Sequence, residues 1–177
     1  VDGHFLFLPH QSIIHMMEII TKNPKETQKI AKLFAKEILS MGDDREKALT
    51  IALDGDLGAG KTTFVQGLVS GFGIKEEVSS PTFLIMKKIE LHKHNLRTTT
   101  RKSQSNFRNL YHLDCYRLKS GKDLSDLDIK EILSDKENVV LIEWAGNVKS
   151  VLPKNLIRIK FEYKGEKERS INFHWSK

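Results

Sequence analysis

The chain has 177 residues, 39% hydrophobic and 29% charged, enough for one well-buried domain and too few for two of ordinary size. Its single cysteine, Cys115, excludes an internal disulfide and suits a reducing compartment, so a cytoplasmic location is expected. No stretch reaches the ~18 consecutive apolar residues of a membrane helix, so no membrane role is expected.

The net charge of +6 is concentrated. From Lys87 to Arg108 there are seven Lys or Arg and one acid, Glu90, while the rest of the chain is balanced. A basic surface for nucleic acid or an acidic partner, if the chain has one, is expected in this segment.

In chain order, residues 1–16 read as an N-terminal extension ahead of a single domain at 17–177, with Met16 or Met17 as its native start. Pro9, His10, Gln11 and Ser12 interrupt the early apolar run, and no basic leader precedes it, a poor match to a secretory signal. Asn23 and Pro24 signal a helix start, and Ile30, Leu33, Phe34, Ile38 and Leu39 keep helical spacing up to a stop at Gly42. "ALTIAL" (48–53) reads as a short buried strand, followed after a glycine loop by a helix from Lys61 to about Phe72.

"TFLIMKKIEL" (82–91) and "LYHLDCYRL" (110–118) are strand-like. Between them the basic stretch of about 92–108 has no periodicity and reads as a long exposed hairpin connection. "KDLSDLDIKEIL" (122–133) predicts a helix and "NVVLIEW" (138–144) an apolar strand. After Pro153, "LIRIKFEY" and "RSINFHW" alternate as a closing antiparallel hairpin. The pattern predicts an α/β fold, a P-loop-type mixed sheet with parallel core strands, antiparallel additions and flanking helices.

The chemistry is concentrated in "GDLGAGKT" (55–62), which fits G-x-x-x-x-G-K-[ST]. In that pattern glycines let successive N–H groups turn toward a phosphate chain, and the following helix adds its positive end. Lys61 would reach the β/γ-phosphates and Thr62 would hold Mg²⁺. Gly55, Asp56, Leu57, Gly58, Ala59, Gly60 and Thr63 complete the expected phosphate cradle. No guanine-reading segment is present, so ATP is the expected nucleotide.

A P-loop needs a carboxylate on a neighbouring strand, and Asp114 and Glu143 each end an apolar one. The residues themselves leave open which acid serves metal and which orients attacking water. "VSSPTF" (78–83) reads as a turn entering a strand. Arg117 could stabilise transition-state charge or simply face solvent. Trp144 suits the core as well as a ligand, and Cys115, alternating with Asp114, should face the core. His92, His94 and His112 lack partners at zinc spacing.

"GDLGAGKTTF", "SPTF" (80–83), "HLDCYRL" (112–118) and "LIEW" (141–144) together resemble, in order, the motifs of the bacterial TsaE (formerly YjeE) P-loop ATPases of tRNA threonylcarbamoyladenosine synthesis. The resemblance runs from about Lys25 to about Tyr163. It implies an ATPase acting with TsaD and TsaB, which modify the adenosine beside the anticodon. It further implies that Lys61 and its loop cradle phosphates, that Thr62 and Glu143 hold Mg²⁺, and that Asp114 assists hydrolysis. Ser80, Pro81 and Thr82 would form a switch, Trp144 would lie near the nucleotide, and Thr27 near the adenine.

Two departures from the family pattern stand out. The basic connection is longer than usual and could touch tRNA or a partner or be simply a solvated loop; its one aromatic, Phe107, argues against a base-stacking platform. Asp128 stands where the family tends to have glycine. A small-molecule P-loop kinase is the alternative, predicting turnover only with an acceptor. A purely electrostatic RNA-binding module is a third reading, predicting strong salt dependence and indifference to ATP.

Overall fold

The computed structural model describes residues 16–40, 45–75, 84–91 and 107–176. The predicted switch residues Ser80, Pro81 and Thr82, residues 1–15, and positions 92–106 of the basic connection lie outside these.

The elements are β1 (Met16–Thr21), α1 (Pro24–Ser40), β2 (Leu49–Gly55), α2 (Lys61–Gly71), β3 (Met86–Glu90), β4 (Asn109–Asp114), α3 (Ile129–Ser134), β5 (Asn138–Glu143), β6 (Leu156–Tyr163) and β7 (Arg169–Ser176). They build one seven-stranded sheet in the order β1-β7-β6-β2-β5-β4-β3. The pairs β6–β2, β2–β5 and β5–β4 are parallel, and β1–β7, β7–β6 and β4–β3 antiparallel. This is the expected mixed α/β architecture.

Local chemistry sets the helix starts. Asn23 Oδ1 accepts the Glu26 amide at 3.0 Å, while the Glu26 carboxylate accepts Lys22 N–H at 2.7 Å. Together they satisfy donors that the first turn of α1 cannot pair internally. At the other end of α2, Gly73 takes φ 79° and its amide returns to the Ser70 carbonyl, which stops the helix.

Both faces of the sheet are covered. Ile51, Leu53, Leu141, Ile159 and Phe161 pack beneath α1 and α2, with Phe34, Phe64 and Phe173 closing an aromatic cluster. Ala52, Val140, Ile142 and Leu113 pack on the opposite side against α3 and two short 3-10 helices, Gly121–Leu127 and Ala145–Val151. Burial on both sides explains why β2 and β5 read as continuous apolar runs. Cys115 is fully buried in this second layer, as its alternation with Asp114 predicts. Phe107 is also core, with the Arg45 guanidinium 4.1 Å from its ring centre, so it presents no face to a base.

Four boundaries differ from the sequence reading. The strand expected at 110–118 ends at Asp114, because Asp114 Oδ1 accepts the Tyr116 amide at 3.0 Å and turns the chain. The helix expected at 122–133 is a 3-10 segment and α3, separated by Asp128 at φ 50° and ψ 30°. A left-handed residue cannot continue a right-handed helix. The strand expected at 82–91 is described only at Met86–Glu90, after bends at Leu84 and Ile85. Finally, β1 was unanticipated: it begins at Met16, which the expected boundary assigned to the extension, and pairs along β7.

Candidate functional site

Three parallel strands end side by side. Leu53 of β2 is the register partner of Glu143 on β5, and Glu143 that of Asp114 on β4. The carboxyl ends of such strands are where open α/β sheets bind ligands. Here they abut the turn from β2 into α2.

That turn depends on glycine for two distinct reasons. Gly55 takes φ 146°, and a Cβ there would meet the Phe161 carbonyl oxygen at 2.5 Å, so both conformation and space exclude a side chain. Gly60, at φ 103°, has open space around it, so its requirement is conformational alone. No side chain caps α2, leaving its leading amides available to an anion.

The loop is also held from outside. Tyr163 Oη donates to the Leu57 carbonyl at 2.7 Å and lies where a Cβ on Gly58 would stand. Asp54, just before the loop, accepts the Gly146 amide at 2.8 Å and pairs with Arg158. It thereby ties β2 to β6 and to the 3-10 helix that follows Trp144.

Lys61 is 4% exposed. Its ammonium donates to the carbonyls of Gly55 at 2.7 Å and Asp56 at 2.9 Å, and sits 3.8 Å from the Trp144 ring centre. Burial pulls the ammonium below its usual pKa, opposed by the negative charges of Glu143, Asp114, Asp56 and Asp54. Trp144 is held left-handed at φ 59°, its amide bonded to Leu53 O and its ring against Tyr116 at 4.9 Å. The structure thus puts Trp144 in the site wall, between the lysine and Tyr116.

Glu143 is 2% exposed and uses both carboxylate oxygens: Oε2 accepts the Thr62 hydroxyl at 2.9 Å, and Oε1 lies 2.9 Å from His112 Nε2. Asp114 stands beside it, partly exposed. Among the described residues no cluster of three His, Cys, Asp or Glu could hold a metal. The Thr62 hydroxyl and Glu143 carboxylate nevertheless match the sparse protein donor set of Mg²⁺ sites that draw their other ligands from phosphates and water.

Of the expected phosphate residues, Asp56, Leu57 and Gly58 are exposed at the loop tip, Ala59 and Lys61 are buried, and Gly60, Thr62 and Thr63 are half-buried. Thr27 is on the first turn of α1, and the next residue, Gln28, packs against Gly67 in the middle of α2. The Thr27 hydroxyl is already bonded to Thr21 at 2.8 Å and the residue is 3% exposed, so it offers covered surface rather than a free polar group. Arg117 is exposed. Sequence reading missed Asp54, Arg158 and Tyr163; it placed His112 at the head of the "HLDCYRL" motif and among histidines without zinc partners, and gave it no role. Asp54, a carboxylate at the end of an apolar strand, carried the same signal that selected Asp114 and Glu143.

Over residues 21–171 the chain matches the family model of the threonylcarbamoyl adenosine biosynthesis protein TsaE. It is 37% identical over 153 residues to the tRNA threonylcarbamoyladenosine biosynthesis protein TsaE of Bacillus subtilis, covering 86% of this chain and 82% of that protein. The protein of the same name from Treponema pallidum is 36% identical over 126 residues, covering 71% and 82% respectively. The crystal structure of Bacillus subtilis YdiB superposes with a TM-score of 0.66 at 29% identity, covering 94% of this chain and 90% of that one. With a match that runs from the end of β1 into β7 and takes in the glycine loop, both strand-end acids and Trp144, the chain belongs to the TsaE family.

Proposed function

We propose that this chain is the Mg²⁺-dependent ATPase of tRNA threonylcarbamoyladenosine biosynthesis, working in the cytoplasm with TsaD and TsaB. The observation that carries the reading is the hydrogen bond from half-buried Thr62 to the buried Glu143 carboxylate beside Lys61, at the carboxyl ends of three parallel strands.

In this reading the leading amides of α2 and the loop from Gly55 to Gly60 bind the phosphate chain, with Thr63 on the same first turn. Lys61, holding two loop carbonyls, exchanges them for phosphate oxygens and so moves off the Trp144 ring. An ammonium already stripped of water exchanges partners at little further desolvation cost. Thr62 and Glu143 hold Mg²⁺, which supplies charge neutralisation on the phosphates. Asp114, adjacent to Glu143 and more exposed, accepts a hydrogen bond from the attacking water and orients it. Thr27 lines the base side, and Ser80 to Thr82 act as the nucleotide-responsive switch. The basic segment 87–108 is the surface offered to tRNA in the assembled complex.

The test is ATP hydrolysis with and without TsaD and TsaB from the same cell, with small phosphate acceptors as a control. Stimulation by the proteins is expected, and stimulation only by an acceptor would make the chain a kinase. Lys61→Ala should stay folded by circular dichroism and bind nucleotide about 10- to 150-fold more weakly, the worth of one or more charge-assisted hydrogen bonds. Normal turnover in the folded variant would overturn the assignment.

A further inference from the structure

His112 is fully buried, which is unusual for an imidazole, and its neighbours on β4, Tyr111 and Leu113, are buried core residues. Its Nε2 is 2.9 Å from Glu143 Oε1. Its Nδ1 is also buried and has no hydrogen-bond partner among the described residues. The contact with Glu143 is thus the one hydrogen bond of the His112 ring among the described residues, and a bare buried nitrogen of this kind calls for an explanation.

Geometry determines the direction of the bond. His112 and Asp114 are two apart on β4 and so point to the same face as Glu143, across one strand spacing. The Glu143 carboxylate can only accept, from Thr62 at Oε2 and from His112 at Oε1, so the imidazole proton belongs on Nε2. With one oxygen anchored from below, the carboxylate cannot rotate about its last torsion, which in an unrestrained glutamate is broad. Oε2 is then presented at the Thr62 hydroxyl.

We propose that His112 is a positioning residue: its Nε2–H fixes the rotation of the Glu143 carboxylate and thereby sets the affinity of the Thr62–Glu143 pair for a divalent cation. This rests on the Mg²⁺ role proposed above for that pair. A hydrogen-bonded partner behind a metal ligand characteristically contributes about 10- to 100-fold in metal affinity.

Two measurements test it. In nucleotide-free protein, long-range ¹H–¹⁵N spectra of the imidazole should show protonation at Nε2 with a slowly exchanging proton, and protonation at Nδ1 overturns the proposal. In the second, ADP binding is titrated with MgCl₂ for the native protein, His112→Leu and His112→Gln, each confirmed folded by circular dichroism.

His112→Leu should raise the Mg²⁺ concentration at half-effect about 10- to 100-fold, while ADP affinity in EDTA stays within about twofold. His112→Gln, whose amide N–H replaces Nε2–H, should recover most of the loss. A folded His112→Leu with the native Mg²⁺ requirement, or His112→Gln no better than His112→Leu, overturns the positioning role. If the native protein binds ADP without regard to Mg²⁺, the cation role of Thr62 and Glu143 falls instead, and the imidazole spectrum decides whether His112 orients the carboxylate.

Discussion

Gly67→Ala places two effects of opposite sign on one atom. On helix propensity alone the substitution should stabilise α2 by about 1 kcal/mol, because glycine is a poor interior helix residue. In the structure, however, the added Cβ would stand 2.5 Å from the Gln28 carbonyl oxygen, 2.6 Å from Gln28 Cα and 2.9 Å from Ala31 Cβ. Two of these are backbone atoms of α1 and cannot swing aside. Restoring ordinary contact requires α1 and α2 to part by about 0.9 Å, a gap that forfeits a quarter to a half of each dispersion contact along the seam.

Overpacking of this kind typically costs about 1–3 kcal/mol. Set against the propensity gain, the net expectation is destabilisation of up to about 2 kcal/mol, or a melting temperature lower by up to about 8 °C for a chain of this size. Scanning calorimetry reads it directly, with Ser70→Ala as the control on the exposed side of the same helix, expected to be neutral or slightly stabilising. The functional readout follows from α2 carrying Lys61 and Thr62 at its start: a displacement near 1 Å can cost about 100-fold in rate. A melting temperature above native for Gly67→Ala would refute the packing reasoning.

Tyr163→Phe removes the hydroxyl that donates to Leu57 O at 2.7 Å. With a bond at this site worth about 0.5–1.5 kcal/mol, ADP should bind about two- to tenfold more weakly by calorimetry, and unchanged affinity would mean the loop holds its shape unaided. Asp128 sits at φ 50°, so Asp128→Gly should raise stability by up to about 1 kcal/mol in urea titration while Asp128→Val lowers it by about 1–2 kcal/mol; equal effects would exclude a backbone origin. Burial, reinforced by the Asp114 charge, pushes the Cys115 thiol up to about 12. The folded protein should therefore leave a disulfide reagent unreacted at pH 8 and release one equivalent only in guanidinium; prompt reaction when folded would contradict that burial.

Sequence alone was enough wherever the determining physics is local. The Asn23–Pro24 start of α1, the apolar runs of β2 and β5, the glycine loop and Cys115 facing inward each follow from spacing or backbone chemistry within a few residues. The four motifs in order likewise pointed to the family before any fold was known. Asp128 is an intermediate case: its departure from glycine flagged the backbone, and that is where the helix breaks.

Only the tertiary structure decided which residues meet. His112 and Glu143 are 31 positions apart, Asp54 and Arg158 are 104 apart, and Tyr163 reaches a loop 106 positions away. Each of these contacts depends on strand order and register, which slip a side chain to the opposite face with a shift of one residue. The addition of β1 along β7 is of the same kind, since an edge strand owes its place to a partner at the far end of the chain. A residue's chemical type is written in the sequence, but whether a buried imidazole is inert filling or the anchor of a carboxylate depends on the strand that folds beside it.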